Sequence, residues 1–216
     1  MKILNIVVAA GSGTRFGADR PKQFCLLEGE TVVSHAVRRL RAATGNAPTV
    51  VVVSPGYEDE VPDGCLVAHG GATRGESVRN ALRAIEGMTA DVILVHDGAR
   101  PLPSRRSIDC AIEACRTHQG AIPVVPVIDS LRRASDGAPV NRADFRCVQT
   151  PQAFRADLLR QAYKLTEGEE FTDDASVMTA AGFGDIALTE GSPQNLKITL
   201  PLDLEIASIY LKRDDA

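Results

Sequence analysis

Hydrophobic positions in the first two thirds of the chain fall into two kinds of segment that alternate. Short β-branched runs occupy residues 3–8, 49–53, 92–95 and 121–127, and longer stretches with helix-like apolar spacing lie at 31–43, 73–85 and 104–118. A strand, a helix-length crossover and another strand pack as a mostly parallel sheet with helices on both faces. Val50-Val51-Val52-Val53 and Val92-Ile93-Leu94-Val95 are apolar at every position instead of every second one. Both of their faces are therefore expected to be buried.

After residue 127 the rhythm breaks. Residues 129–146 are polar and charged, with Asp136-Gly137 as a turn signal between Leu131-Arg132-Arg133 and Pro139-Val140-Asn141-Arg142. This pattern predicts a β-hairpin arm projecting from the sheet. Helical spacing returns at 155–167 and 201–212, where Pro201 suits a first helical turn. No repeat, low-complexity tract or linker divides the 216 residues, so one domain spanning 1–216 is expected.

Composition narrows the partners. The formal charge is -4 and the pI about 5.6, which argues against a surface that grips nucleic acid. Locally the sign reverses, because residues 1–41 hold seven basic side chains against three acidic ones. A small anion would be drawn there. Five cysteines without a C-x-x-C pair suggest reduced, buried thiols and neither a disulfide framework nor a zinc ribbon. The run 3–8 lacks the parts of a signal peptide, and no run approaches a membrane span; the expectation is a cytoplasmic protein with no membrane partner.

The segment Ala9-Ala10-Gly11-Ser12-Gly13-Thr14-Arg15-Phe16-Gly17 directly follows the first strand, where open α/β sheets bind ligands. Small residues there let backbone N–H groups converge on an anion. The dinucleotide fingerprint fails because Phe16 stands where a glycine is needed, and a P-loop fails for want of Gly-Lys-Ser/Thr. Instead, Arg15 lies in the loop and Lys22 follows in Pro21-Lys22-Gln23. N–H groups with two mobile cations suit a triphosphate.

These residues resemble the signature of the 2-C-methyl-D-erythritol 4-phosphate cytidylyltransferases. The resemblance continues over essentially the whole chain, in Gly70-Gly71-Ala72-Thr73-Arg74-Gly75-Glu76-Ser77-Val78, His96-Asp97-Gly98-Ala99-Arg100-Pro101, Gln149-Thr150-Pro151-Gln152-Ala153-Phe154, Thr172-Asp173-Asp174-Ala175-Ser176 and Gln194-Asn195-Leu196-Lys197-Ile198-Thr199. It implies a Rossmann-like fold, CTP and a small polyol phosphate as substrates, Mg²⁺ as cofactor, and a homodimer whose arms help build each other's sites. By the same resemblance Arg15, Lys22 and Lys197 surround the triphosphate, and Arg142 and Lys197 place the attacking phosphate. Ala9, Ala10, Gly11, Ser12, Gly13, Thr14, Gly71, Ser77 and Gly98 match the nucleotide site, and Asp97, Arg100, Ser130 and Thr150 match contacts to the acceptor. Two positions depart from the family: Ala72 stands where an acidic residue commonly meets the nucleotide, and Ser130 where threonine is more usual.

The implied reaction is in-line attack by a phosphate oxygen on the α-phosphorus, with pyrophosphate leaving. Two anions must meet, so positioning and electrostatic stabilisation should dominate. A sugar phosphate is already ionised and needs no strong base, which agrees with the lack of a Ser/His/Asp or Cys/His constellation. Asp97, just past a buried strand, is the best-placed carboxylate for Mg²⁺, with most ligands expected from the triphosphate. His96 reads as a hydrogen-bonded structural histidine, and Lys197 is expected on a strand, pointing away from Leu196 and Ile198. A ribitol 5-phosphate cytidylyltransferase has a similar loop, but the spacing from Asn141-Arg142 to Gln149-Thr150-Pro151-Gln152 favours methylerythritol phosphate. A non-catalytic nucleotide-sugar binding protein would be expected to lose one of Arg15, Lys22 or Lys197.

Overall fold

The computed structural model describes residues 1–11, 16 and 20–214. Eight strands form the main sheet: β1 (Ile3–Val8), β4 (Thr49–Val53), β5 (Leu66–His69), β6 (Val92–Asp97), β7 (Gly120–Pro126), β10 (Arg146–Val148), β11 (Gln152–Arg155) and β12 (Ile186–Glu190). Their order is β10-β7-β11-β6-β1-β4-β5, with β12 also on β7. Only β10 and β11 run against the others, so the sheet is mostly parallel and the fold Rossmann-like.

The unbroken apolar strands are buried on both faces, as their composition requires. Leu4, Ile6, Val50, Val52, Ile93 and Val95 join one core under α2 (Arg74–Ala84), α4 (Ala156–Leu165) and α5 (Asp174–Ala180). Their neighbours Val7, Val51, Val53, Val92 and Leu94 join a second core under α1 (Val32–Ala43) and α3 (Arg105–Ala114). Thr31, Thr73, Ser104 and Asp173 cap α1, α2, α3 and α5, each side-chain oxygen accepting a first-turn N–H that has no partner within the helix.

A third, smaller core sets Phe16, Leu27, Val32, Leu102 and Ile198 under α6 (Pro201–Asp214). It matters for the site because it fixes the loop that carries Lys197. Residues 196–198 are not a strand, contrary to the apolar alternation. Ile198 is fully buried and its N–H donates to the Ala99 carbonyl at 2.8 Å, which leaves the Lys197 side chain turned outward.

The arm is a separate two-stranded sheet, β8 (Leu131–Arg132) against β9 (Pro139–Val140). Asp136 closes its turn by accepting the Ala138 N–H at 2.9 Å, and Gly137 adopts the positive φ of 70° that the turn needs. The chain leaves β7 for the arm and returns antiparallel to it as β10. Two further short strands, β2 (Leu26–Leu27) and β3 (Glu30–Thr31), pair as a small hairpin before α1. Of the five cysteines all are free, but only Cys115 is buried and Cys147 is exposed. Uniformly buried thiols were expected; Cys147 lies instead on the exposed β10.

Candidate functional site

The ends of β1 and β6 lie side by side, with Val8 paired to Asp97, and the loops leaving them form a wall of a cleft of about 560 Å³. Ala9, Ala10, Gly11, Lys22, Gly71, Ser77, Asp97 and Lys197 line it, together with Gln23 and Arg74. Gly98 lets the two strand exits touch: a Cβ there would stand 3.1 Å from that of Ala9 and 3.2 Å from the Val8 carbonyl oxygen. Gln23, almost completely buried, donates to the carbonyls of Ala9 at 2.6 Å and Gly11 at 2.8 Å, so one amide pins the start of the glycine loop.

Across the cleft, the N-terminus of α2 is held by its own side chains. Thr73 accepts the Glu76 N–H, Glu76 accepts the Ala72 N–H at 2.6 Å, and Ser77 accepts the Gly71 N–H at 3.2 Å while donating to the Thr73 carbonyl. The carboxylate nearest to the departing Ala72 is thus that of Glu76. The partial positive charge of this helix end faces the cleft and favours an anion.

Asp97 is the junction of the site. Its Oδ1 accepts from Arg74 Nε at 3.3 Å and its Oδ2 from Lys197 Nζ at 2.7 Å, with Arg100 Nε 4.0 Å away. Burial pushes this carboxyl up, but the charges of Arg74, Lys197 and Arg100 outweigh burial and hold it well below the usual carboxylate range. Arg74 turns its other edge to the fully buried Asp174 at 2.7 Å, and Asp174 also accepts from the Tyr163 hydroxyl at 2.5 Å. Burial disfavours the Arg74 charge, but Asp174 and then Asp97 outweigh it and raise the guanidinium above its ordinary value.

Behind Asp97 lies a buried polar layer. The Asp97 N–H donates to Thr150 Oγ1 at 3.0 Å, Thr150 meets His96 Nδ1 at 3.0 Å, and His96 Nε2 meets the Arg100 carbonyl at 2.9 Å. Complete burial holds His96 down at about 4, so its ring is neutral near pH 7. Arg100 donates from Nη1 to the Asn195 carbonyl at 2.7 Å, while its buried Nε has no hydrogen-bond partner among the described residues. Burial lowers its pKa against the pull of Asp97.

Arg15, Ser12, Gly13 and Thr14 lie outside the described residues. Ser130 and Arg142 stand on the arm, exposed and not part of the cleft lining; Arg142 Nη1 donates to the Ile128 carbonyl. Three of the seven basic side chains of residues 1–41 are engaged away from the cleft: Arg20 pairs with Glu60, Arg38 with Glu30, and Arg41 donates to the Asp63 carbonyl. The sequence does not single out Gln23, Arg74 or Asp174, although each stands inside one of the family-like motifs, and Tyr163 carries no sequence signal.

The carboxylate offered for Mg²⁺ does not fit a resident metal. Both oxygens of Asp97 are engaged by cations, and among the described residues no group of three His, Cys, Asp or Glu side chains converges as a metal cage. Asp97 is better placed as the counter-ion that orders Arg74 and Lys197. No helix of the described residues is long and apolar enough to cross a membrane.

The family model of IspD, 2-C-methyl-D-erythritol 4-phosphate cytidylyltransferase, matches residues 3–213. A protein of that name from Cereibacter sphaeroides is 42% identical over 95% of each chain, and one from Bacteroides thetaiotaomicron 38% identical over 98% of this chain and 100% of its own. A bifunctional IspD/IspF enzyme from Rhodospirillum rubrum is 40% identical over 95% of this chain, which spans 56% of that longer protein. The crystal structure of the Thermus thermophilus cytidylyltransferase superposes with a TM-score of 0.83 at 35% identity, covering 98% of this chain and 100% of its own. The match runs through β1, the capped start of α2, the Asp97 junction and the Lys197 loop alike: the chain belongs to the 2-C-methyl-D-erythritol 4-phosphate cytidylyltransferase family.

Proposed function

We propose that this protein transfers a cytidylyl group from CTP to 2-C-methyl-D-erythritol 4-phosphate and releases pyrophosphate. The observation that carries the reading is the cleft itself, where Lys22, Lys197 and the N-terminus of α2 converge on one space beside the glycine loop. The nucleotide base and ribose lie against Ala9, Ala10, Gly71 and Ser77, and the triphosphate against Lys22 with Arg15 from the loop. Lys197 serves both the phosphate under attack and the attacking phosphate, which approaches past Asp97 and Arg100. Cations aimed at the places where negative charge gathers lower the barrier, since they cost no reorganisation as the reaction proceeds. The described residues build no cage for a resident metal, so any Mg²⁺ would be held through the triphosphate, where it would neutralise phosphate charge.

The arm supplies Arg142 and Ser130 to the site of a second copy. Two features support this: the hairpin has no core of its own, and apolar side chains at its base stand in solvent, Ile128 at 83% and Phe145 at 46% exposure. The test is pyrophosphate release that requires CTP, the polyol phosphate and Mg²⁺ together. Release with CTP alone at the same rate would make the protein a hydrolase and overturn the reading.

A further inference from the structure

His96 occupies the penultimate position of β6 and is completely buried, yet both ring nitrogens are engaged. Nε2 lies 2.9 Å from the Arg100 carbonyl, which can only accept, so Nε2 carries the proton. In the neutral ring Nδ1 then offers a lone pair, and the Thr150 hydroxyl donates to it across 3.0 Å. With its proton so committed, the Thr150 oxygen is turned to accept the Asp97 N–H.

The same layer continues. Asn195, fully buried, donates to the Thr150 carbonyl at 2.8 Å, and its own backbone carbonyl accepts from Arg100 at 2.7 Å. Gln149, beside Thr150, donates to the Ser192 carbonyl at 2.8 Å. The layer therefore joins the end of β6, the turn to Arg100, the return of the arm through Gln149 and Thr150, and the loop that reaches Lys197 two residues after Asn195. An apolar side chain of similar size would fill the space without needing partners, so what the imidazole adds is direction.

We propose that His96 is a positioning residue for the reacting centre: by aiming Thr150 at the Asp97 amide and anchoring the Arg100 carbonyl, it fixes Asp97 and Arg100 relative to Lys197. A consequence follows for the acceptor. Any substrate hydroxyl that meets Thr150 must donate to its remaining lone pair, because Thr150 has no proton left to give. This inference rests on the cytidylyl transfer proposed above, and turnover by the unsubstituted protein establishes that reaction independently.

Steady-state kinetics of His96→Phe and His96→Asn, with each substrate varied in turn, tests the proposal. His96→Phe is expected to lower kcat at least about tenfold and raise KM for the polyol phosphate, with KM for CTP within about threefold, since displacement of positioned groups acts where they touch substrate. His96→Asn, which keeps an acceptor near Thr150, should lose less. A merely structural role would lower the melting temperature and leave both KM values in place. ¹⁵N NMR of the imidazole in the unsubstituted protein gives a second readout that no misfolded variant can obscure. A proton on Nε2 and none on Nδ1 supports the proposal. A proton on Nδ1, or variants with unchanged kcat and KM for the acceptor, overturns it.

Discussion

Lys197 Nζ lies 2.7 Å from Asp97 Oδ2, while Arg74 holds the other oxygen of the same carboxylate. The pair brings together two residues a hundred positions apart in sequence, one at the end of a buried strand and one on a loop fixed by Ile198. Lys197 is 44% exposed and Asp97 13%, so the lysine is the member free to turn toward an arriving phosphate.

That geometry separates catalysis from stability. Replacing Lys197 or Lys22 by Ala should each lower kcat by roughly 10²–10³, the usual consequence of removing one donor aimed at developing charge. In Lys197→Ala, Asp97 keeps Arg74 as its partner, so unfolding free energy should change by less than about 1 kcal/mol, as for other half-exposed ion pairs. Stopped-flow or steady-state turnover together with urea unfolding reads both quantities. Near-normal kcat for Lys22→Ala would make the glycine loop and its flank structural.

The opposite separation holds behind Arg74. Tyr163→Phe strips a fully buried carboxylate of one donor, which should cost about 1–3 kcal/mol. Asp174→Ala leaves a largely buried guanidinium with only Asp97, at about 3–5 kcal/mol. Urea unfolding of the two variants measures these losses, and an Asp174→Ala protein as stable as the parent would show that the Arg74 pair does not hold α2 to α5.

Much of this is legible in the sequence. The all-apolar runs at β4 and β6 announced two-sided burial, and Asp136-Gly137 announced the arm, because each pattern has few structures that satisfy it. β5, β11 and β12 were not read from sequence: each is only four or five residues long, and β5 and β12 are half exposed at sheet margins, so no clear period distinguishes them. Residues 155–167 read as one helix, whereas Arg155 ends β11 and the helix begins at Ala156. At the site, Lys22 and Lys197 stand out in the sequence, and both line the cleft. The Tyr163–Asp174–Arg74 chain was not, since contacts between α4, α5 and α2 leave no mark in local spacing.

His96 gives the stability a pH dependence of definite sign. Burial holds its folded value at about 4 against an ordinary 6.5, so the unfolded chain binds a proton that the folded chain refuses. Stability therefore falls as pH drops from 6.5 toward 4, by up to about 2 kcal/mol at pH about 5. Asp97 acts lower down: its depressed value contributes stability above the unfolded 3.8 that is lost only on further acidification. Urea unfolding between pH about 7 and 5 should show a smaller decline in His96→Asn than in the parent. Equal declines would place the proton uptake elsewhere.

The proposed arm exchange predicts subunit complementation. Arg142→Ala and Lys22→Ala proteins, each inactive alone, should recover activity when mixed under conditions of subunit exchange, because one site in every mixed dimer is intact. Random reassortment of equal amounts gives about a quarter of parental activity. Proven exchange with no recovery would mean that Arg142 serves its own subunit.

The most direct test of the account is kcat/KM measured by pyrophosphate release with CTP, Mg²⁺ and either 2-C-methyl-D-erythritol 4-phosphate or ribitol 5-phosphate. The account predicts turnover that depends on the acceptor and a clear preference for methylerythritol phosphate, with EDTA abolishing release while leaving the melting temperature of the nucleotide-free protein unchanged. Folded protein that releases no pyrophosphate with either acceptor, or that prefers ribitol 5-phosphate, would contradict it.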